Sequence, residues 1–183
     1  MTSTAALWRR LDVPGHDACR LDETEHGFHL HGAAVLRLDG SPARLDYRVE
    51  CDRSWRSRVA NVHGWVASQE IDVTIAHRDE RWLLNGVPVQ GLDDCIDVDF
   101  GFTPATNLLQ LRRIALSVGD TADVPVAWLD VPAGTLLRLE QRYHRLAEDR
   151  YAYDAPRFGY HAELEVRRDG FARRYPGLWE LEE

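Results

Sequence analysis

The chain has 183 residues, 44% of them hydrophobic and 28% charged, with 22 basic against 30 acidic side chains and a formal net charge of −8. That length and balance fit a soluble globular chain with a substantial core, and the expectation is a single domain over residues 1–183. The acidic surplus argues against non-specific attraction to nucleic acid or to an anionic membrane.

The opening residues, Met1 to Arg10, carry charge too early and too short an apolar run for a secretory signal, and no stretch reaches transmembrane length. Three widely spaced cysteines, Cys19, Cys51 and Cys95, fit buried reduced thiols better than disulfides. A cytoplasmic address follows as the expectation. The chain then reads as strand after strand. Phe28, Leu30, Ala34, Leu36 and Leu38 share one face, Asp39-Gly40-Ser41-Pro42 turns, and Leu45, Tyr47, Val49 and Cys51 return. A strand from Trp55 to Ala67 is expected with Trp55, Val59 and Trp65 in phase, followed by Ile71, Val73 and Ile75. Asp79-Glu80 and Asn85-Gly86 turn the chain around Trp82-Leu83-Leu84.

The stretch from Asp94 to Arg113 departs from this regularity. Ile96, Val98 and Phe100 alternate with Asp97 and Asp99, so a strand is expected with two carboxylates on one face, roughly 6–7 Å apart. Phe102-Thr103-Pro104 breaks the alternation, because proline lacks a backbone donor and biases its predecessor toward extended geometry. Ala105 to Leu109 reads as a turn or a single helical turn. Arg112-Arg113 is expected to open the next strand, Ile114 to Val118, with Arg112 in register with Ile114 and Leu116. Beyond it, Val124, Val126 and Trp128 alternate, as do Leu137, Leu139, Gln141 and Tyr143, which makes Gln141 an inward polar group. Phe158 to Val166 and Phe171 to Tyr175 complete the series, joined by Arg168-Asp169-Gly170. So many consecutive strands predict an all-β or nearly all-β fold, an antiparallel sheet whose edges are protected by closure or strong curling.

Cys95-x-Asp97-Val98-Asp99, Thr103-Pro104-x-Thr106-Asn107 and Arg112-Arg113 together resemble the central signature of a bacterial family described as putative glycolipid-binding proteins. Weaker pieces fit in order: Trp8 with Asp12-x-Pro14-Gly15, Tyr47-x-Val49-x-Cys51-Asp52 with Trp55 and Arg58, Gln141-x-Tyr143, Tyr151-x-Tyr153, and Tyr175-Pro176-x-Leu178-Trp179. Leu109 stands where the family pattern expects proline, and His16 where an acidic residue is usual. The resemblance implies an incomplete barrel with one or two short helices and a central cavity, similar to bacterial lipoprotein and lipid carriers. It also implies an amphipathic ligand such as a glycolipid.

Read as chemistry, Asp97 and Asp99 admit three roles: an ion pair with Arg112 or Arg113, recognition of a polar ligand, or general acid–base work. His26, His29 and His31 cluster, but no acidic or cysteine pattern completes a zinc set, and no metal or cofactor is expected. No Gly-x-Ser-x-Gly, Cys/His motif or glycine-rich phosphate loop is present. The leading expectation is a non-enzymatic binding protein whose apolar interior holds a tail. Its polar head would meet Trp55, Arg58, Asp97, Asp99, Thr103, Thr106, Asn107, Arg112, Arg113, Gln141 and Tyr143. An enzyme using Asp97 or Asp99 as base, and a structural domain without ligand, are the alternatives. At least one aspartate is expected to pair with Arg112 or Arg113 beside the largest pocket.

Overall fold

The computed structural model describes residues 2–182. Eight strands come first: β1 Ser3–Arg10, β2 Gly15–Glu23, β3 Gly27–Leu38, β4 Ser41–Asp52, β5 Ser57–Val66, β6 Gln69–Arg78, β7 Arg81–Leu84 and β8 Val87–Val89. A central segment follows, with β9 Asp97–Phe100, helix α1 Asn107–Ile114, β10 Thr121–Asp123, β11 Val126–Asp130 and β12 Thr135–Leu139. Five strands close the series: β13 Arg142–Arg145, β14 Arg150–Ala155, β15 Tyr160–Val166, β16 Ala172–Tyr175 and β17 Trp179–Leu181.

Fourteen strands form one antiparallel sheet in the order β10-β13-β14-β15-β16-β17-β1-β2-β3-β4-β5-β6-β7-β8. Two hairpin meanders, one from each half of the chain, are thus joined where β1 pairs β17, with Trp8 opposite Leu181 and Arg10 opposite Trp179. Alternation makes one side of each strand apolar. In β4, Ala43, Leu45, Tyr47, Val49 and Cys51 are buried, while Arg44 and Arg48 between them are exposed. Each fully buried large side chain on that side, such as Leu30, Leu45 or Ile75, contributes roughly 1.5–3 kcal/mol.

The expected curled sheet, incomplete barrel and central cavity are corrected. The large sheet is an open ladder, and its outer strands β10 and β8 do not pair with each other. A second sheet, β12-β11-β9, stands apart from it, and its β9–β11 pair is parallel. The expectation rested on edge protection, which this chain obtains differently. Both edge strands are only three residues long, and β8 carries Pro88, which offers no donor to a further strand.

Three local readings also change. Arg112 and Arg113 do not open a strand; they form the last turn of α1, which Ala115 ends in a left-handed conformation (φ 43°). In β5 the buried positions are Ser57, Ala60 and Val62, whereas Trp55 lies outside the strand with φ 64° and Trp65 is half-buried. Leu137 to Tyr143 is not one strand: the chain leaves the small sheet at Leu139 and enters the large one at Arg142, so Gln141 sits at the crossing. Strands β1 and β2 are additional to those expected.

The central segment is held from both meanders. Ser57 of β5 accepts the Val98 N–H at its Oγ (3.1 Å), the Trp82 indole donates to the Cys95 carbonyl (3.0 Å), and Asn107 donates to the Tyr143 hydroxyl (2.7 Å). Among the described residues, no helix is long and apolar enough to cross a membrane. All three cysteines are buried and unpaired.

Candidate functional site

The loop between β9 and α1 carries the polar corner. Phe102 to Asn107 are all buried, an unusual state for a connection containing two threonines, a proline and an asparagine. Such burial requires every hydroxyl and amide to find a partner. Thr103 Oγ1 donates to Asp17 Oδ2 at 2.5 Å and accepts the Ala105 N–H at 3.0 Å. Thr106 Oγ1 donates to Asp99 Oδ1 at 2.5 Å. Two carboxylates, one from each sheet, therefore grip the two threonines of a single loop.

Asp17, on β2, is fully buried, and Tyr47 of β4 also donates its hydroxyl to it at 2.9 Å. Gly32, opposite Tyr47 in β3, leaves room for that hydroxyl: a Cβ there would lie 2.5 Å from it. Among the described residues, no cation answers the Asp17 carboxyl. Burial pushes its pKa up to about 7, against the pull of the hydrogen bonds from Thr103 and Tyr47. Tyr47 and the neighbouring Cys19 thiol are pushed well up by the same burial.

On β9 the two aspartates meet different partners. Asp97, fully buried, is paired with Arg113, whose Nε and Nη2 donate at 2.9 and 2.7 Å. Burial raises the Asp97 pKa, and the guanidinium works against that rise. Asp99 meets no arginine. It accepts from Thr106 and from Gln141 Nε2 (2.8 Å), and burial raises its pKa as well. Behind it, Asn107 donates to the Tyr143 hydroxyl, which in turn donates to Gln110 Oε1 at 2.7 Å. Gln110 sits inward one helical turn after Asn107.

A pocket of about 480 Å³ opens beside this corner, between the small sheet and strands β14 to β17. Asp99, Gly101, Thr103 and Asn107 belong to its lining. Aromatic side chains dominate the rest: Trp128, Tyr153, Phe158, Tyr160, Tyr175 and Trp179. Trp128 lies against Gly101, where a Cβ would fall 2.9 Å from the indole nitrogen, so only glycine admits the ring in this position. Arg10 also lines the pocket. Its guanidinium stacks over Trp179 at 5.0 Å and donates to both oxygens of Asp12, at 2.6 and 3.0 Å. A trough of larger volume, about 600 Å³, lies over His31, Asp46, Arg48, Asn61 and His63, but its walls are mainly half-buried and exposed polar groups.

The expected site residues are thus divided. Asp99, Thr103 and Asn107 line the pocket, and Thr106, Gln141 and Tyr143 hold those residues from behind. The Asp97–Arg113 pair lies outside the lining. Trp55 and Arg112 come together elsewhere: Trp55 stacks on Phe28 (centroids 3.6 Å apart), and the Arg112 guanidinium lies 5.8 Å from its ring. Arg112 also donates to the backbone carbonyls of Arg168 and Asp169. These side chains border a separate groove of about 370 Å³. Arg58 is exposed and bonded to Asp52. Among the described residues, no group of three or more histidine, cysteine or acidic side chains is arranged to hold a metal ion.

Sequence reasoning missed Asp17, Arg10 and Trp128 as site residues. Of these, Asp17 left a trace, since it shares alternation with Cys19 and Leu21 on the inward side of β2.

Comparison with known proteins adds two findings. A family model described as putative glycolipid-binding matches residues 5–181. Among solved structures, the chain is similar to the crystal structure of a DUF1089 family protein from Pseudomonas aeruginosa. The two are 27% identical over 98% of this chain and 92% of that one, with a TM-score of 0.71. Comparison with curated proteins finds no match.

Proposed function

Because the chain belongs to the family described as putative glycolipid-binding, we propose that it holds an amphipathic small molecule in the pocket beside Asp99 and does not transform it. Family membership supports a binding function in general. The observation that carries the specific reading is the make-up of the pocket. Its volume of about 480 Å³ is within the range of small-molecule sites, and its walls are mainly aromatic and aliphatic with a small number of polar groups, Asp99, Thr103 and Asn107 among them. A tail would lie along Tyr153, Tyr160 and Tyr175, and the head would meet Asp99, Thr103 and Asn107.

The alternative use of Asp99 as a general base receives less support. Asp99 is held by Thr106 and Gln141, and among the described residues no second titratable side chain hydrogen-bonds to it to pass a proton onward. Asp97 is committed to Arg113 outside the pocket.

The test is native mass spectrometry of freshly purified protein, followed by titration with a fluorescent fatty-chain probe. A co-purifying amphiphile, or saturable probe binding that Tyr153→Arg abolishes, is the expected result. Absence of both a bound mass and saturable binding would overturn the reading.

A further inference from the structure

Asp17, Tyr47 and Thr103 form a closed triangle of oxygens in the interior. Thr103 Oγ1 lies 2.5 Å from Asp17 Oδ2, and the Tyr47 hydroxyl lies 3.1 Å from both Asp17 Oδ1 and Thr103 Oγ1. With Asp17 ionised, both hydroxyls donate to the carboxylate, and no proton is left for the edge between Tyr47 and Thr103. With Asp17 protonated, each group gives one hydrogen bond and takes one. The carboxyl O–H donates to Tyr47, Tyr47 to Thr103, and Thr103 back to Asp17 Oδ2. All three edges are then bonded, and the Ala105 N–H still finds the second lone pair of Thr103.

The surroundings favour the same neutral form. Trp8 and Ala34, which stand opposite Asp17 on β1 and β3, are apolar and fully buried. Cys19, two residues along β2, carries a thiol that burial keeps protonated. Phe100 and Phe102 pack edge-on against the Tyr47 ring. Nearby arginines are engaged elsewhere, Arg113 with Asp97 and Arg10 with Asp12. The other carboxylates of the pocket lining, Asp39, Asp99 and Asp130, add repulsion rather than relief. A buried carboxylate in such a place is costly unless water reaches it.

Thr103 also belongs to the pocket lining, beside Phe102, Pro104 and Asn107. Hydrating an ionised Asp17 from the pocket side therefore displaces Thr103 and the wall it belongs to. A ligand that fills the pocket keeps that water out and favours the closed triangle. We propose, resting on the binding reading above, that the pocket is proton-coupled: it holds its ligand while Asp17 is protonated and releases it as Asp17 ionises, with Thr103 as the positioning residue that carries the change to the wall. Burial raises the Asp17 pKa to about 7, so the coupling falls in the neutral range. Affinity is full below that value and declines above it, because binding then requires uptake of a proton.

Asp99, whose pKa burial also raises, lines the same pocket, and Asp17→Asn separates the two. The amide retains the triangle, since its N–H donates to Tyr47 and its oxygen accepts from Thr103, but it cannot titrate. The probe is N-phenyl-1-naphthylamine, an apolar dye that stays uncharged across the range, titrated by fluorescence at about pH 6 and about pH 8.5. The unaltered chain is expected to bind it roughly three- to tenfold more weakly at the higher pH, and Asp17→Asn to change by less than about twofold. A pH-independent affinity in the unaltered chain, or an equal pH effect in the variant, overturns the proposal and leaves the binding reading standing. Absence of binding at both pH values overturns both. A second measurement needs no variant: calorimetry in two buffers of different ionisation enthalpy counts the protons taken up with the dye at about pH 7.5. Uptake of a substantial fraction of a proton is expected there, and zero uptake overturns the proposal.

Discussion

Thr103 and Asp17, 86 residues apart in the chain, share a 2.5 Å hydrogen bond that ties the pocket wall to β2 of the large sheet. Because no cation among the described residues faces Asp17, its protonation controls that tie. The folded-state pKa, near 7, lies above the ordinary value of 3.8. Below 3.8 the carboxyl is protonated in both folded and unfolded chains, and its contribution to stability is fully present. As pH rises toward 7, the unfolded chain releases a proton that the folded chain retains, so stability falls. Asp17→Asn removes this titration. Urea denaturation across that window should show a shallower loss of stability in the variant, with a residual slope from Asp97 and Asp99, whose values are also raised. Identical slopes would mean that Asp17 is ionised in the fold.

The two neighbouring arginines of α1 should behave very differently. Arg113→Ala leaves the Asp97 carboxylate buried without its partner, and the expected loss is roughly 3–5 kcal/mol. Arg112→Ala removes a ring contact and two bonds to carbonyls at an exposed position, so about 1 kcal/mol or less is expected. Denaturation midpoints of the two single variants, compared at neutral pH, provide the check. Equal losses would contradict the pairing.

Gly101→Ala tests the pocket wall without changing its charge. The added methyl would lie 2.9 Å from the Trp128 indole nitrogen, and the rigid ring has to move. Overpacking of this kind typically costs about 1–3 kcal/mol. A shifted tryptophan emission spectrum and a weakened probe affinity are expected together. Unchanged emission with unchanged affinity would show that the ring does not bound the pocket.

The cysteines give a simple probe of packing. Burial pushes the Cys51 thiol up to about 12 and Cys19 well above its ordinary value, so little thiolate exists at neutral pH. Native protein should react slowly with a thiol-specific reagent, and all three thiols should react once denaturant is added. Rapid labelling of Cys19 or Cys51 in native protein would show that the strands around them open readily.

The strands were legible wherever both faces kept their rule, as in β4 and β6. They were not legible where function or geometry intrudes on the inward side. Asp17 occupies a core position of β2, so the alternation Asp17, Cys19, Leu21 does not read as apolar, and the whole strand escapes notice. In β5 the largest apolar residue nearby, Trp55, suggested the wrong phase. It stands in a left-handed turn next to an irregularity of register at Glu50 and Cys51, which resets the count before Ser57. Arg112 and Arg113 exchanged roles for a related reason. A period of two places Arg112 inward, whereas the helical period brings Arg113 to Asp97. The motif singles out Asp99, Thr103 and Asn107, which line the pocket, and Thr106 behind them, but nothing in the chain order announces Arg10, which reaches the pocket through the pairing of β1 with β17.

That pairing has a consequence for how the molecule comes into being. Trp8 and Leu181 face each other across the sheet, yet nearly all of the described chain lies between them, so a ribosome delivers Trp8 long before Leu181. Until β17 emerges, β1 offers one unpaired edge, the sort of exposed strand that recruits unwanted neighbours. Contacts of such long sequence separation also slow folding, because a long loop has to close before they form. Arg10 and Trp179, which stack across the same seam, bring their part of the pocket wall together only then. A nascent chain therefore has no finished pocket, and the wall that Arg10 and Trp179 share closes only once β17 is in place.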